Sequence, residues 1–249
     1  MAVGFETDDG IGTRARLGLI VLQVDETIEA EFRSLVDQVG VSLYHSRMPS
    51  APEVTLQTLA RMEADIPAAV RLLPPSVEFD VIGYACTSGA TVIGADNVAA
   101  AIRSVIPGVA ATDPLSAAKA ACRALGVSRL AFITPYTAEV SAAMRQNFED
   151  DGIKITGFGS FEQIEEAVVA RISPASTLAA ILDVAGSEAC DAAFVSCTNL
   201  RAAGIIEEAE AGLGKPVLSS NQVLAWHMLR LAGVNQAISG LGALFRTAL

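Results

Sequence analysis

A cysteine followed at once by short polar residues occurs twice in this chain, as Cys86-Thr87-Ser88-Gly89 and as Cys197-Thr198-Asn199-Leu200. A thiol is a nucleophile when ionised and an acid or base when it moves a proton, and the small residues behind it let backbone N–H groups point at an anion. Each motif follows an apolar run, 79–85 before the first and 192–196 before the second, so both cysteines read as leaving buried strands. Two copies suggest two thiols facing one substrate. Cys86 is the first candidate nucleophile or base, with Thr87 and Ser88 holding a carboxylate. Cys197 is its partner, with Thr198 and Asn199 as the equivalent cradle. Tyr136, just past another apolar run, can donate a phenolic hydrogen bond to a carboxylate or enolate oxygen.

The elements that must carry these residues alternate along the whole chain. The pattern predicts strands over 17–24, 41–46, 79–85, 109–112, 129–134, 154–159, 192–196 and 216–218. Between them it predicts helices over 27–39, 52–72, 95–104, 114–125, 138–150, 161–169, 174–186, 204–211 and 221–231. Such alternation predicts parallel sheets wound by right-handed crossovers. Leu17 to Cys86 is a step of 69 residues and Leu130 to Cys197 one of 67, so the two halves read as a duplication. One lobe is expected over 1–113 with 220–249, carrying Cys86, and the other over 114–219, carrying Cys197. In such sheets ligands bind outside the carboxyl ends of the strands, which puts the two cysteines on opposite sides of one cleft.

Asp25 stands at the end of the first strand and is open to two readings: it lines the cleft, or it caps the helix that follows. Glu26 reads as part of that helix's cap and first turn. His45 is placed on the cleft or its rim, while His227 beside Trp226 reads as packed. Cys122 in an Ala-rich helix and Cys190 before a strand read as structural. The glycines do not match a dinucleotide fingerprint or a phosphate-binding loop, and no serine, histidine and aspartate form a hydrolase constellation.

Bulk properties exclude several classes. About 51% of the 249 residues are apolar, which suits a buried parallel sheet, and a formal charge of −11 argues against nucleic acid and anionic membranes. No secretory leader or bilayer-length apolar stretch is visible, so a cytoplasmic location is expected. In a reducing compartment the four cysteines are expected as thiols, and with two histidines and no CxxC pair a metal site is not expected.

Taken together, Gly18-Leu19-Ile20-Val21, Tyr84-Ala85-Cys86-Thr87-Ser88-Gly89, Thr134-Pro135-Tyr136 and Ser196-Cys197-Thr198-Asn199-Leu200 resemble the maleate cis-trans isomerase and arylmalonate decarboxylase group of the aspartate/glutamate racemase superfamily. The resemblance runs from about Leu17 to the last helix. It implies two similar Rossmann-like lobes, pseudo-twofold related, each a parallel sheet flanked by helices, with the active site between them and no metal or organic cofactor. It further implies that Cys86 attacks the double bond of a maleate-like acid while Cys197 serves as acid and base, or that the pair racemises an amino acid derivative. Decarboxylases of the group keep only the second cysteine, so the presence of Cys86 disfavours that reaction. One departure stands out. Maleate isomerases of the group carry a Pro-Ser-Ser-Asn-like segment after the first strand, whereas this chain reads Leu22-Gln23-Val24-Asp25-Glu26-Thr27. An ionised Asp25 repels a second carboxylate and attracts an ammonium group, a pattern that resembles members associated with ectoine utilisation. The expected partner is thus a small carboxylate or amino acid-derived substrate, with a homodimer implied by resemblance alone. The competing readings are a malonate-type decarboxylase working through Cys197 and a non-catalytic protein that binds a small acid.

Overall fold

Among the residues that the computed structural model describes, 1–186 and 189–249, eight strands form two four-stranded parallel sheets. The first contains β1 (Ala15–Leu22), β2 (Val41–Met48), β3 (Val81–Ala85) and β4 (Ala110–Thr112) in the order β2-β1-β3-β4. The second contains β5 (Arg129–Thr134), β6 (Lys154–Ser160), β7 (Ala192–Val195) and β8 (Val217–Ser219) in the order β6-β5-β7-β8. The orders are the same, offset by four strands, which is the duplication expected from the spacing of the cysteines. β3 and β7 are buried along their whole length, as befits central strands covered on both faces.

The helices are α1 (Ile28–Leu35), α2 (Leu56–Arg61), α3 (Ile66–Val70), α4 (Thr87–Ile93), α5 (Ala95–Arg103), α6 (Pro114–Leu125), α7 (Ala138–Asp150), α8 (Glu166–Val169), α9 (Pro174–Ala185), α10 (Ile206–Leu213) and α11 (Ser220–Leu231). Local chemistry explains several of their ends. Asp113 Oδ1 accepts the N–H groups of Leu115 and Ser116 at 2.8 and 3.0 Å, Pro114 opens α6, and Gly126 closes it with a left-handed φ of 67°. Ser219 and Gln222 form a reciprocal cap that starts α11 directly after β8.

Three expectations need correction. The single helix expected over 52–72 is broken into α2, a 3-10 turn at Met62–Asp65 and α3, where Pro67 sits at the start of the new helix and withholds an N–H from any longer one. The helix expected over 161–169 is confined to α8, because 161–165 instead runs as a loop whose Glu165 makes an antiparallel bridge to Glu53. In the other direction, α4 forms where none was expected: Gly89, Thr91 and Val92 are poor helix formers, and burial of its residues outweighs that propensity.

α11 packs on β3, β4, α1 and α6 and also touches β8, so the last helix spans both sheets. It lies so close to β3 that a Cβ on Gly83 would stand 2.6 Å from Met228 Sδ. α4, which follows Cys86, packs against α7 of the second half. No helix among the described residues is long and apolar enough to cross a membrane.

Candidate active site

Each sheet reverses its winding between its two central strands, and the loops leaving those strands meet. β1 and β3 run in register from Leu17 opposite Val81 to Val21 opposite Ala85, and the chain then delivers Asp25 from the first strand and Cys86 from the second. β5 and β7 run from Leu130 opposite Ala192 to Ile133 opposite Val195, and deliver Tyr136 and Cys197. The four residues therefore occupy the crevice positions at which open parallel sheets hold ligands.

Cys86 is the N-cap of α4, and its Sγ accepts the Gly89 N–H at 3.2 Å and lies 3.6 Å from Ser88 Oγ. Cys197 repeats this locally, with Sγ accepting the Asn199 N–H at 3.3 Å. The backbone donors of each motif are thus aimed at its own sulfur. Both thiols are buried. Burial pushes Cys86 up to about 12, against the opposing Ser88 hydroxyl and Gly89 N–H, and the charges of Glu166 and Asp25 push the same way. Cys197 is also raised, first by burial and then by Glu166, while the Tyr136 phenol and the Asn199 N–H favour its thiolate. Its φ of 130° is a backbone conformation that side-chain-bearing residues rarely adopt.

The two motifs are joined through hydroxyl groups. Thr87 Oγ1 and Ser220 Oγ are 2.7 Å apart, and the same serine oxygen accepts the Cys197 N–H at 2.9 Å. Thr198 Oγ1 donates to the carbonyl oxygen of Ala85 at 3.3 Å. Hence the Thr87 and Thr198 hydroxyls tie the halves together in this structure, while Ser88 and Tyr136 stand against the sulfurs.

Asn199 reaches back to the loop after β1. Its Oδ1 accepts the Glu26 N–H at 2.8 Å and its Nδ2 donates to Glu166 Oε2 at 2.8 Å and to the Glu166 carbonyl at 3.1 Å. Asp25 answers the capping reading. Its Oδ1 accepts the Thr27 and Ile28 N–H groups at 2.8 Å each, which caps α1. Its Oδ2 is buried with no hydrogen-bond partner within 3.5 Å, and the neighbouring Thr198 hydroxyl donates to the Ala85 carbonyl. Burial raises the Asp25 carboxyl above its ordinary value, opposed by those N–H groups, Thr198 and Arg47. Glu26 does not cap the helix; it turns outward to pair with Arg171 at 2.8 Å.

Glu166 and Tyr84 escaped sequence reasoning. Glu166 opens α8, is 6% exposed, and is pushed up to about 7 by burial and by Asp25 against the Asn199 amide. Nothing distinguishes it within Glu162-Gln163-Ile164-Glu165-Glu166. Tyr84 lies two residues before Cys86, and its fully buried phenol is raised by burial and by Cys86. A cysteine and a tyrosine thus stand together on each side, Tyr84 with Cys86 and Tyr136 with Cys197. Gly89 makes room for the first pair, since a Cβ there would lie 2.5 Å from Tyr84 Oη and 3.0 Å from Cys86 Sγ.

The remaining candidates lie elsewhere. His45 is exposed on the edge strand β2, and His227 Nδ1 is bonded to Thr112 Oγ1 at 2.7 Å with its ring stacked on Trp226. Cys122 and Cys190 are both buried away from this cluster, the latter donating to the Ala185 carbonyl at 3.4 Å.

At Glu166, residues 52–54 and 164–166 form a strap: Val54 N donates to Ile164 O at 2.9 Å and Glu166 N to Pro52 O at 3.0 Å. Beneath it, a cavity of about 10 Å³ beside Glu166, lined by Leu22, Val54, Leu59 and Met62, is no larger than one water. A cavity of about 570 Å³ lined by Glu26, Glu31, Arg201 and Leu241 does not include either site cysteine in its wall.

Comparison with known proteins matches residues 95–245 to the arylmalonate decarboxylase family model. A maleate isomerase of Nocardia farcinica is 27% identical over 242 residues, covering 93% of this chain and 95% of that protein. The maleate isomerase of Pseudomonas putida S16, solved as a Cys-to-Ala variant with maleate, superimposes with a TM-score of 0.84 at 25% identity over 94% of this chain and 98% of that one. A Cys-to-Ser variant of the Nocardia farcinica maleate cis-trans isomerase, solved with a covalently bound succinylcysteine intermediate, gives 0.83 at 25% identity over 93% and 98%.

Proposed function

The chain belongs to the arylmalonate decarboxylase family, and we propose that it is a cofactor-independent isomerase that acts on a small carboxylic acid with Cys86 and Cys197. The observation that carries this reading is the placement of two thiols at equivalent strand ends, joined through Thr87 and Ser220. Similarity to maleate isomerases over nearly the whole chain supports it, and so does the succinylcysteine held by one of them.

In the working state Cys86 is a thiolate, its proton passed to solvent water while the cleft is open and burial does not yet raise the thiol, and Cys197 keeps its proton. The Cys86 sulfur forms a bond to one alkene carbon, and the displaced π pair takes the Cys197 proton at the other. Rotation about the resulting single bond follows. Cys197 thiolate then removes a proton, the double bond reforms, and the C–S pair returns to Cys86. The finer form of the reading, drawn from the resemblance to ectoine-utilisation members, is racemisation of an amino acid derivative: one thiolate removes the α-proton and the opposite thiol supplies one to the other face.

Turnover in deuterium oxide separates the two, because racemisation puts deuterium at the α-carbon while addition and elimination pass through a trappable thioether. Cys86→Ala and Cys197→Ala should each lower kcat at least ~10³-fold. Full activity in both variants would end the proposal, and carbon dioxide release from a disubstituted malonate would reassign the chemistry to decarboxylation.

A further inference from the structure

Asp25 and Glu166 come from opposite halves of the chain and are drawn to one place by Asn199. Its amide holds Glu166 Oε2 at 2.8 Å, and its carbonyl oxygen accepts the N–H of Glu26, the residue after Asp25. The Thr27 hydroxyl donates to the Asn199 backbone carbonyl at 2.9 Å and the Asn199 amide reaches the Val24 carbonyl at 3.5 Å, so the Asp25 loop and Glu166 are held on one asparagine. Asp25 Oδ2 is the unsatisfied member. It belongs to a side chain only 3% exposed and has no hydrogen-bond partner, whereas Oδ1 is fully occupied by two backbone N–H groups. A buried carboxylate oxygen without a donor is costly, and a ligand that brings donors removes that cost.

The local cations do not serve this purpose. Arg47, whose charge acts on Asp25, directs its guanidinium to the carbonyl oxygens of Leu22, Gln23 and Asp25 and to Glu29. Arg171 is paired at the surface with Glu26. We infer that Asp25 and Glu166 together receive an ammonium group, so that the substrate of the two thiols is a small acid carrying an amino group, and not a dicarboxylate. An ammonium supplies three donors and a positive charge to Asp25 Oδ2, which has no donor, and to the Glu166 carboxyl beside it, whose Oε2 already accepts from the Asn199 amide. A second carboxylate would add a like charge beside two buried acids.

This inference rests on the isomerase reading for the acid end of the substrate, but binding tests it separately from catalysis. Calorimetric titration of the full chain with 2,3-diaminopropionate and with maleate should give affinity for the diamino acid at least tenfold above that for maleate. Glu166→Gln should lower the first about tenfold and raise the second, and Asp25→Asn, which keeps the capping oxygen, should act in the same directions. Thermal melting establishes that the variants fold, and either one suffices if the other does not. Tighter binding of maleate by the unaltered protein, no binding of the diamino acid, or a parallel change for both ligands in the variants overturns the inference. Binding through Glu166 with neither α-proton exchange nor cis-trans conversion leaves the ammonium site standing and removes the isomerase reading. Cys86-dependent conversion of maleate that is indifferent to Glu166 does the reverse.

Discussion

Thr87 and Ser220 lie 2.7 Å apart through their hydroxyl oxygens, and Ser220 also accepts the Cys197 N–H at 2.9 Å. One serine at the start of α11 thus couples the residue behind the first thiol to the backbone of the second. Ser220→Ala leaves a buried hydroxyl and a buried N–H without partners, so it should destabilise the fold by about 1–3 kcal/mol and lower kcat by releasing Cys197. Urea unfolding and steady-state kinetics on the same preparation read both effects. Unchanged stability and turnover would mean the bridge does not hold the pair.

Gly89→Ala tests how tightly the first thiol is packed. The new methyl would meet Tyr84 Oη at 2.5 Å and Cys86 Sγ and Met62 Cε at 3.0 Å each, within a buried cluster that has little room to yield. A loss of about 1–3 kcal/mol is expected, together with impaired turnover. A variant as stable and as active as the parent would contradict the packing described for Tyr84 and Cys86.

Cys197 predicts an inverted ranking of small residues. With φ at 130°, any side chain strains the backbone there, whereas glycine does not. Both Cys197→Gly and Cys197→Ala lack the thiol, yet the glycine variant should be at least as stable as the alanine one, against the usual penalty of about 0.5–1 kcal/mol for glycine. Thermal melting of the pair decides it.

Glu166 links stability to pH. Its carboxyl is raised to about 7 in the fold from an ordinary 4.5, chiefly by burial. Below pH 4.5 the acid is protonated both folded and unfolded and has no effect. Between 4.5 and 7 the unfolded chain ionises first, so stability falls through that window and levels off above it, by about 3 kcal/mol at most. Glu166→Gln keeps an oxygen for Asn199 and abolishes this loss. Its advantage over the parent should be small at pH 4 and greatest at pH 8 in urea titrations. A gap that is the same at both pH values would count against a Glu166 carboxyl raised by burial.

Much of this site is legible in the sequence, because period and spacing express sheet geometry directly. All eight strands were expected close to where they lie, and the near-equal steps to Cys86 and Cys197 anticipated two sheets of the same strand order. What escaped depends on tertiary contacts. α4 forms from residues with little helical preference because its face is buried, and the helix expected over 161–169 gives way to a bridge between Glu53 and Glu165. Asp25 left capping and cleft lining open; its Oδ1 caps α1, while its Oδ2 is buried without a partner, which no local pattern could show. Glu166 had no local signal at all, since its chemistry comes from Asn199 and Asp25, which lie far away in the chain.

The strap formed by 52–54 and 164–166 gives the site the kinetics of a latch. Both thiols are less than 5% exposed and Glu166 carries one of the strap's hydrogen bonds, so a ligand should reach them by parting the Val54–Ile164 and Pro52–Glu166 pairs. Because Glu166 belongs to the strap, the residue that meets the substrate also helps to shut the cleft. Capture and closure are therefore one event, and association should proceed at the pace of a short ladder unzipping, well below that of diffusion into an open bowl.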